Sequence, residues 1–423
     1  MRGDYSPRTG WARLLRAWPA YAVFIVFIPA ALAAEPRALT ERQAIELALS
    51  RPVYRELEAA RLAIAGSAVT EANQLPNPVV AWERDRVSGA AGRATESTAK
   101  VFQTVDFSGR RALRREAAGM RMDAAHFDQE ERRLNTVTEV RRLFGEALYR
   151  QEAGNAYARW LQRIEAATKI VRNLVTAGEA AGYDRRRLER EAQTAKARAA
   201  GIAADYARLR EAMAGLIGKS GGEIAALTGE LLPANAPALV AVQSNLRQRP
   251  DLASMDAQAN AYDRERTAAE RTWIPDVTLG IGYKRIEETN RTDAGPVVAL
   301  SIPLPLFDRG DANRQRAQAR ASTLRAEQSL TYAKVEAELR GIWRQAAELR
   351  QAAAAFRRDS LGSSRELTRI AEAAYRGGEG SVLELLDAYR AELEAETTTL
   401  DLELRARLAR IELDLLSGAK NHE

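Results

Sequence analysis

The chain of 423 residues has no cysteine and only two histidines, His126 and His422. Without thiols there is no disulfide, no thiolate metal site, and no attachment point for a lipid anchor. The two histidines stand alone, without metal-ligand spacing to a second ligand. Glycine-rich phosphate loops and nucleophile–base motifs are absent as well, so neither an enzyme nor a cofactor site is expected. Proline is scarce in a patterned way: residues 79–232 and 306–423 contain none. Because proline costs about 3 kcal/mol inside a helix, such stretches rich in Ala, Arg, Glu and Leu can be helical throughout.

One apolar run stands at the N-terminus. Arg2, Arg8, Arg13 and Arg16 precede an apolar core at Tyr21–Ile28, and Ala31-Leu32-Ala33 supplies small residues for cleavage. Residues 1–34 therefore read as a secretory signal peptide. No later segment is apolar enough to span a membrane as a helix. Removing the four Arg and one Asp of that segment lowers the formal charge from +6 to +3. Arginine and glutamate are interleaved in what remains, which is a solvated surface and no footprint for nucleic acid.

The remainder is one unit written twice. Arg51-Pro52 recurs as Arg249-Pro250, and Leu75-Pro76-Asn77 recurs as Ile274-Pro275-Asp276, 199 residues later. Phe102–Arg110 faces Ser301–Arg309 at that same offset, and Gly178-Glu179 matches Gly378-Glu379 at 200. The boundaries expected are a first copy at 35–217, a linker at 218–238 and a second copy at 239–423. Each copy predicts a helix (40–73; 239–272), a β-hairpin (77–107; 275–306), a long helix (110–177; 310–376) and a shorter one (183–217; 381–417). The long helices of about 67 residues would run roughly 100 Å at 1.5 Å per residue. The two shorter helices of a copy, stacked end to end, would match that length.

Hydrophobic spacing gives the helices a coiled-coil seam. From Val335 it steps through Leu339, Ile342, Ala346, Leu349, Ala353, Phe356, Ser360, Ser363, Leu367, Ile370 and Ala374, a repeat of 3.5 residues. The last helix predicts another through Leu386, Tyr389, Leu393, Leu400, Leu404, Leu408, Ile411 and Leu415. A fibrous coiled coil would explain the helices, but not the strands. Val277, Leu279, Ile281 and Tyr283 alternate with Thr278, Gly280, Gly282 and Lys284; Val298, Leu300, Ile302 and Leu304 alternate with small residues. Val80, Trp82, Val101 and Val105 repeat the phase more weakly. One apolar face and one small or polar face is the pattern of a membrane barrel strand, with Val277, Leu279, Ile281, Tyr283, Leu300 and Ile302 facing lipid. Ser88–Thr98 and Glu287–Gly295 read as polar hairpin loops. A hairpin packed on a soluble helical core is the competing reading. Four strands cannot close a barrel, and lipid tolerates no open edge, so several chains must share one; a trimer gives twelve strands.

The motifs Gln74-Leu75-Pro76-Asn77-Pro78, Arg249-Pro250-Asp251-Leu252, Ser301–Arg309 and Tyr375–Ala388 resemble those of the TolC-like outer-membrane efflux proteins. The third is most similar to the branch serving heavy-metal pumps such as the cobalt–zinc–cadmium system. The resemblance implies a mainly helical homotrimer, with a twelve-stranded β-barrel in outer-membrane lipid continuing into an α-helical barrel across the periplasm. It implies a passive exit duct, exporting metal cations, docked on a periplasmic adaptor (membrane fusion) protein and an inner-membrane pump of the resistance-nodulation-division type. Gly178, Glu179, Gly377, Gly378 and Glu379 would form the adaptor-contact helix turns. Glu384, Asp387 and Tyr375 would form the periplasmic gate constriction, although the arginine expected five residues after Tyr375 is Gly380. A duct for drugs or secreted polypeptides, and a periplasmic coiled-coil adaptor, are the alternatives.

Overall fold

The structure, a computed structural model, describes residues 38–89, 92–179 and 181–418. The expected signal peptide lies outside them. The chain runs β1 (Leu39–Thr40), α1 (Glu41–Ser50), α2 (Pro52–Asn73), β2 (Val79–Gly89), β3 (Gly92–Val105), α3 (Arg110–Thr176) and α4 (Gly182–Ile217). After β4 (Leu227–Thr228) come α5 (Leu239–Asn245), α6 (Pro250–Glu270), β5 (Val277–Glu288), β6 (Arg291–Ser301), α7 (Asp311–Phe356), α8 (Gly362–Arg376) and α9 (Val382–Ser417). A π-helical turn at Arg357–Leu361 joins α7 to α8. Within the described residues no helix is long and apolar enough to cross a membrane.

The repeated Arg-Pro pair has a physical role in both copies. Pro52 and Pro250 sit in the first turns of α2 and α6, where a missing N–H costs nothing. The preceding arginine reaches back to the end of the last helix of its own copy. Arg51 Nη1 donates to the carbonyls of Gly215 and Leu216 at 2.8 and 3.1 Å, and Arg249 Nη1 to that of Leu416 at 2.6 Å. A cation thus satisfies the orphan carbonyls at the C-termini of α4 and α9 and opposes their dipoles. Gly218 (φ 72°) and Gly418 (φ 63°) end those helices in the left-handed region. A Cβ there would lie 3.1 Å from Arg51 Nε or 3.2 Å from Arg249 Cγ. The clamp stacks α2 on α4 and α6 on α9.

Ion pairs run the length of α3. Arg132 and Arg121 meet Glu58 of α2 and Glu265 of α6; nearer the middle, Arg141 meets Asp414, and further on Arg159 and Arg163 meet Glu396 and Glu392 of α9. Arg132 and Arg61 hold the buried Glu58 carboxyl below its ordinary range. The 218–238 segment is more than a linker. Ile224, Leu227 and Leu231 are buried, β1 and β4 pair, and Gln151 of α3 bonds both polar backbone groups of Leu227.

The seam expected along 335–374 holds only to the middle. Val335, Leu339, Ile342, Ala346 and Ala353 are buried, but Leu367 and Ile370 are 57% and 59% exposed. Leu361 and Thr368 take the inward places instead. A π turn inserts one extra residue into the helical ladder, so every side chain beyond it is displaced by one position. On α9 the expected seam holds at Leu386, Tyr389, Leu400 and Ile411, but Leu393, Leu404, Leu408 and Leu415 are half-buried, while Glu392, Ala395, Thr399, Glu403 and Ala406 are buried. That helix packs against α3 on one side and α7–α8 on the other, so its most enclosed line falls between the two apolar flanks.

The four long strands form one antiparallel sheet in the order β2-β3-β5-β6. Its register places Val80, Val101, Ile281 and Val298 in one row and Trp82, Ala99, Tyr283 and Pro296 in the next. Leu279 and Leu300 pair on the same face, and Ile281 and Trp82 are 69% and 65% exposed. The opposite face carries Lys100, Thr98, Gly280, Gly282 and Lys284. Among the described residues no helix packs along either face, unlike the arrangement in which the hairpins rest on a soluble helical core. Ser88–Thr98 and Glu287–Gly295 are not loops: pairing continues through them to Gly89 and Gly92 in the first hairpin and to Glu288 and Arg291 in the second. Polar alternation on both faces there looked like a loop because neither face is apolar.

Two outcomes follow from this arrangement. Ile281→Lys should cost about 2–4 kcal/mol, read as folded yield, while Thr278→Lys on the other face should be near neutral. Gly280 would not serve as that control, since a Cβ there meets the Phe102 ring at 2.6 Å. Equal losses at both positions would refute the facing. Deleting Ser360 removes the extra residue of the π turn and should leave the yield close to wild type. Deleting Gln345, exposed in regular helix, misplaces the seam downstream and should lower it on the order of tenfold; similar losses would show that the π turn sets no register.

Candidate functional site

The site is built where each long helix turns back. α3 ends at Thr176 and α8 at Arg376, and both close through a left-handed glycine, Gly178 (φ 79°) and Gly378 (φ 76°). The hydrogen bonds match: Glu179 N donates to Leu174 O and Gly178 N to Val175 O at 2.9 and 3.1 Å; Glu379 N donates to Ala374 O and Gly378 N to Tyr375 O at 2.9 and 3.2 Å. This is the paired closure by which a glycine satisfies the last carbonyls of a helix. Gly380 also donates to Ala374 O, and a Cβ on it would lie 3.1 Å from the Ala374 side chain. An arginine at that position would crowd the turn.

The start of α9 is held more firmly than the start of α4. Ser381 Oγ accepts from Glu384 N at 3.2 Å and Glu384 Oε2 accepts from Ser381 N at 2.8 Å, a reciprocal cap. Ala181 offers α4 no such bond. Glu384 and Asp387 share an exposed face of α9, turned away from the buried Leu385, Leu386 and Tyr389. The Asp387 side chain is 62% exposed and meets Arg390 at 3.7 Å. Arg390 in turn pairs with Glu191 of α4, tying the two copies together close above the turns.

Tyr375 stands elsewhere. It packs against the Leu385–Leu386 cluster, its hydroxyl has no hydrogen-bond partner among the described residues, and burial pushes its ionisation up. Tyr389 is the engaged tyrosine. Its hydroxyl donates to Glu372 Oε1 at 3.1 Å, Arg163 lies over its ring at 5.7 Å, and burial beside Glu372 raises its ionisation strongly. The sequence signal for this pairing was present in the seam position of Tyr389, but not its partner. Within the described residues no three His, Cys, Asp or Glu side chains converge as a metal site. His126 is exposed on α3, and His422 lies outside the described residues.

Residues 241–419 match the outer membrane efflux protein family. The chain is similar to the cobalt-zinc-cadmium resistance protein CzcC of Cupriavidus metallidurans, 24% identical over 90% of each chain. The family match spans the second copy, and the likeness to this relative extends over both. A second relative, the nickel-cobalt-cadmium resistance protein NccC of Alcaligenes xylosoxydans xylosoxydans, is 26% identical over 74% of this chain and 73% of that one. The fold is that of the outer membrane protein VceC of Vibrio cholerae, with a TM-score of 0.70, 18% identity, and coverage of 89% of this chain and 96% of that one. The two relatives are named for resistance to metal cations, and the fold is shared with solved outer-membrane channels. α3 leaves the sheet five residues after β3 and runs 67 residues, about 100 Å at 1.5 Å per residue, so its turn lies far from the sheet.

If Glu384 and Asp387 line the narrow end of the channel, their charge should set its ion preference. Glu384→Gln with Asp387→Asn keeps the hydrogen-bonding shape, including the cap, and removes only charge. Replacement by alanine would confuse the result, because loss of a cap costs about 1 kcal/mol on its own. The double variant should show a reversal potential shifted toward non-selectivity under a salt gradient, and weaker block by divalent cations. Unchanged selectivity and block would place these carboxylates outside the constriction.

Proposed function

We propose that three copies of this chain close one twelve-stranded barrel, and that the assembly is the exit duct of a proton-driven efflux system for metal cations. The observation that carries the assembly is the open sheet. β2 and β6 each have one neighbour, so each leaves a row of backbone groups unpaired at an edge. In lipid such groups cost several kcal/mol each, and pairing β6 of one copy with β2 of the next satisfies them. Three chains of four strands give twelve.

The helices present the same need at the same edges. α2 and α4 form one flank and α7 and α8 the other. Val53, Leu57 and Ile64 of α2, Leu330 of α7, and Leu367 and Ile370 of α8 are exposed in the single chain. A neighbouring copy seated along these flanks would bury them. The π turn then acquires a purpose: it turns Leu367 and Ile370 away from their own α9 and toward the next copy.

Metal cations are favoured as cargo by the two metal-resistance relatives and by the charge at the turn of α9. A ring of three copies would converge six carboxylates from Glu384 and Asp387, partly offset by Arg390. The four helix-turn residues Gly178, Glu179, Gly378 and Glu379, with Gly377, would form the contact with the periplasmic adaptor, which links the duct to a pump of the resistance-nodulation-division type. In mild detergent the protein should sediment as a trimer from the outer-membrane fraction. Its loss from a host that exports cobalt, zinc or cadmium should lower tolerance to the cation without changing tolerance to organic drugs. A monomer in the soluble periplasmic fraction would refute the channel, and loss of drug tolerance alone would refute the cargo.

A further inference from the structure

The charges of the sheet are sorted by face. Above the row of Trp82 and Tyr283, the outward positions carry Arg84, Arg86, Arg93 and Arg285, and a single acid, Glu287. The inward positions at those levels carry Glu83, Asp85, Glu96, Glu288 and Asp293 with Lys284 and Arg291, and Lys100 stands just below the row. The inward bases are spent on neighbours: Lys100 meets Glu83 at 3.1 Å, Lys284 pairs with Glu96, and Arg291 meets Asp293 at 2.6 Å. The outward ones are mostly unspent. Arg285 meets Glu287 at 2.9 Å, but Arg84, Arg86 and Arg93 have no ion pair or hydrogen bond from their side chains within the described residues.

Their height is set by the register. Along the strand the apolar face runs about 20 Å from Val277 to the aromatic row of Tyr283 and Trp82 at 3.3 Å per residue, about 15 Å of height at a barrel tilt of about 40°, and the first arginine row stands about 5 Å above that aromatic row. An apolar band of about 25 Å flanked by aromatic side chains is what lipid requires of a barrel wall. The arginines therefore stand just past the hydrocarbon, at head-group level, on the side away from the helices and so in the outer leaflet. Arginine, unlike lysine, grips a phosphate through two parallel N–H donors. All four outward bases are arginine, whereas the inward bases nearest the apolar band, Lys100 and Lys284, are lysine.

From this we propose that Arg84, Arg86, Arg93 and Arg285 form a collar that binds the phosphates of outer-leaflet phosphorylated glycolipid. The proposal rests on the outer-membrane reading, which supplies the leaflet. It adds a lipid-binding surface outside the channel and independent of its cargo. A ring of three copies would repeat the collar around the whole barrel.

The test uses the full assembled protein in mild detergent. The probes are lipopolysaccharide, the same lipopolysaccharide with its phosphates removed, and phosphatidylglycerol, each titrated for retention on the protein. Wild type should bind the phosphorylated form at least about tenfold more tightly than the dephosphorylated form, and more tightly than phosphatidylglycerol. Arg84→Gln/Arg86→Gln/Arg285→Gln should lose that preference, Arg→Lys at the same three positions should keep part of it, and Lys100→Gln/Lys284→Gln on the inward face should keep all of it. Equal binding of both lipopolysaccharide forms overturns the proposal, and this arm needs no variant to fold. So does equal binding of phosphatidylglycerol, which would make the collar a general anionic-lipid surface, or wild-type affinity in the triple arginine-to-glutamine variant. Failure of the wild type to fractionate with outer membranes would instead refute the reading beneath it.

Discussion

A backbone N–H or C=O in hydrocarbon must find a partner from the protein, because no water is there to serve. Nearly everything in this chain is arranged around that constraint. One hairpin per copy and two copies per chain give a sheet that is complete inside and open at β2 and β6. The openness cannot be relieved within the chain, since both faces of the sheet are committed, one apolar and one polar. It has to be relieved by another chain. In the proposed assembly the helical columns meet the same neighbours, which would cover the apolar side chains exposed along the α2 and α7–α8 flanks.

The duplication explains how a chain of this size reaches so far with so little core. Each copy uses one uninterrupted helix as a spine and builds the parallel column from two shorter helices clamped by an arginine. The clamp costs only a proline, a glycine and one guanidinium, and it recurs at Arg51 and Arg249. The copies then diverge at the turns. The second turn carries Ser381, Glu384 and Asp387. At the equivalent positions the first has Ala181, Asp184 and Arg187, without the reciprocal cap. Local helix stability and acidic charge have been concentrated at one turn of the two.

Much of this was legible in the sequence, and the gaps have physical causes. Proline-free stretches gave the helices, because proline is costly in any helix whatever it packs on. Strict alternation at 277–283 gave the sheet face, because a strand has period two and lipid contacts only one side. The π turn was not legible. Phe356-Arg-Arg-Asp-Ser-Leu361 carries no residue that marks an inserted position, and a 3.5-residue repeat continues through it by chance with Leu367 and Ile370. The strand ends were misread because membrane strands lose their apolar face once they leave lipid. At the turns, spacing could place Glu384 and Asp387 on one face, yet the capping role of Glu384 depends on its distance from Ser381, which was read as the first helical residue and is the cap before it.

The enclosed polar line of α9 completes the account of what fixes the helices lengthwise. Glu392 meets Arg163 of α3 at 2.6 Å, Glu403 meets Arg357 of the π turn at 2.6 Å, and Arg407 pairs with Glu41 of α1. Glu403 is fully buried, and its carboxyl is pushed above the ordinary range by that burial even with Arg357 beside it. Such pairs add little net stability over apolar packing, since desolvation consumes most of the attraction. Breaking one is a different matter, at about 3–5 kcal/mol, because a charge is left buried alone. A seam of leucine and alanine can slide by a heptad and lose little. A helix whose buried charges each answer to a different neighbour cannot slide without stranding all three. The register of α9 is therefore set by ions, and Leu393, Leu404, Leu408 and Leu415 pack the flanks of that line.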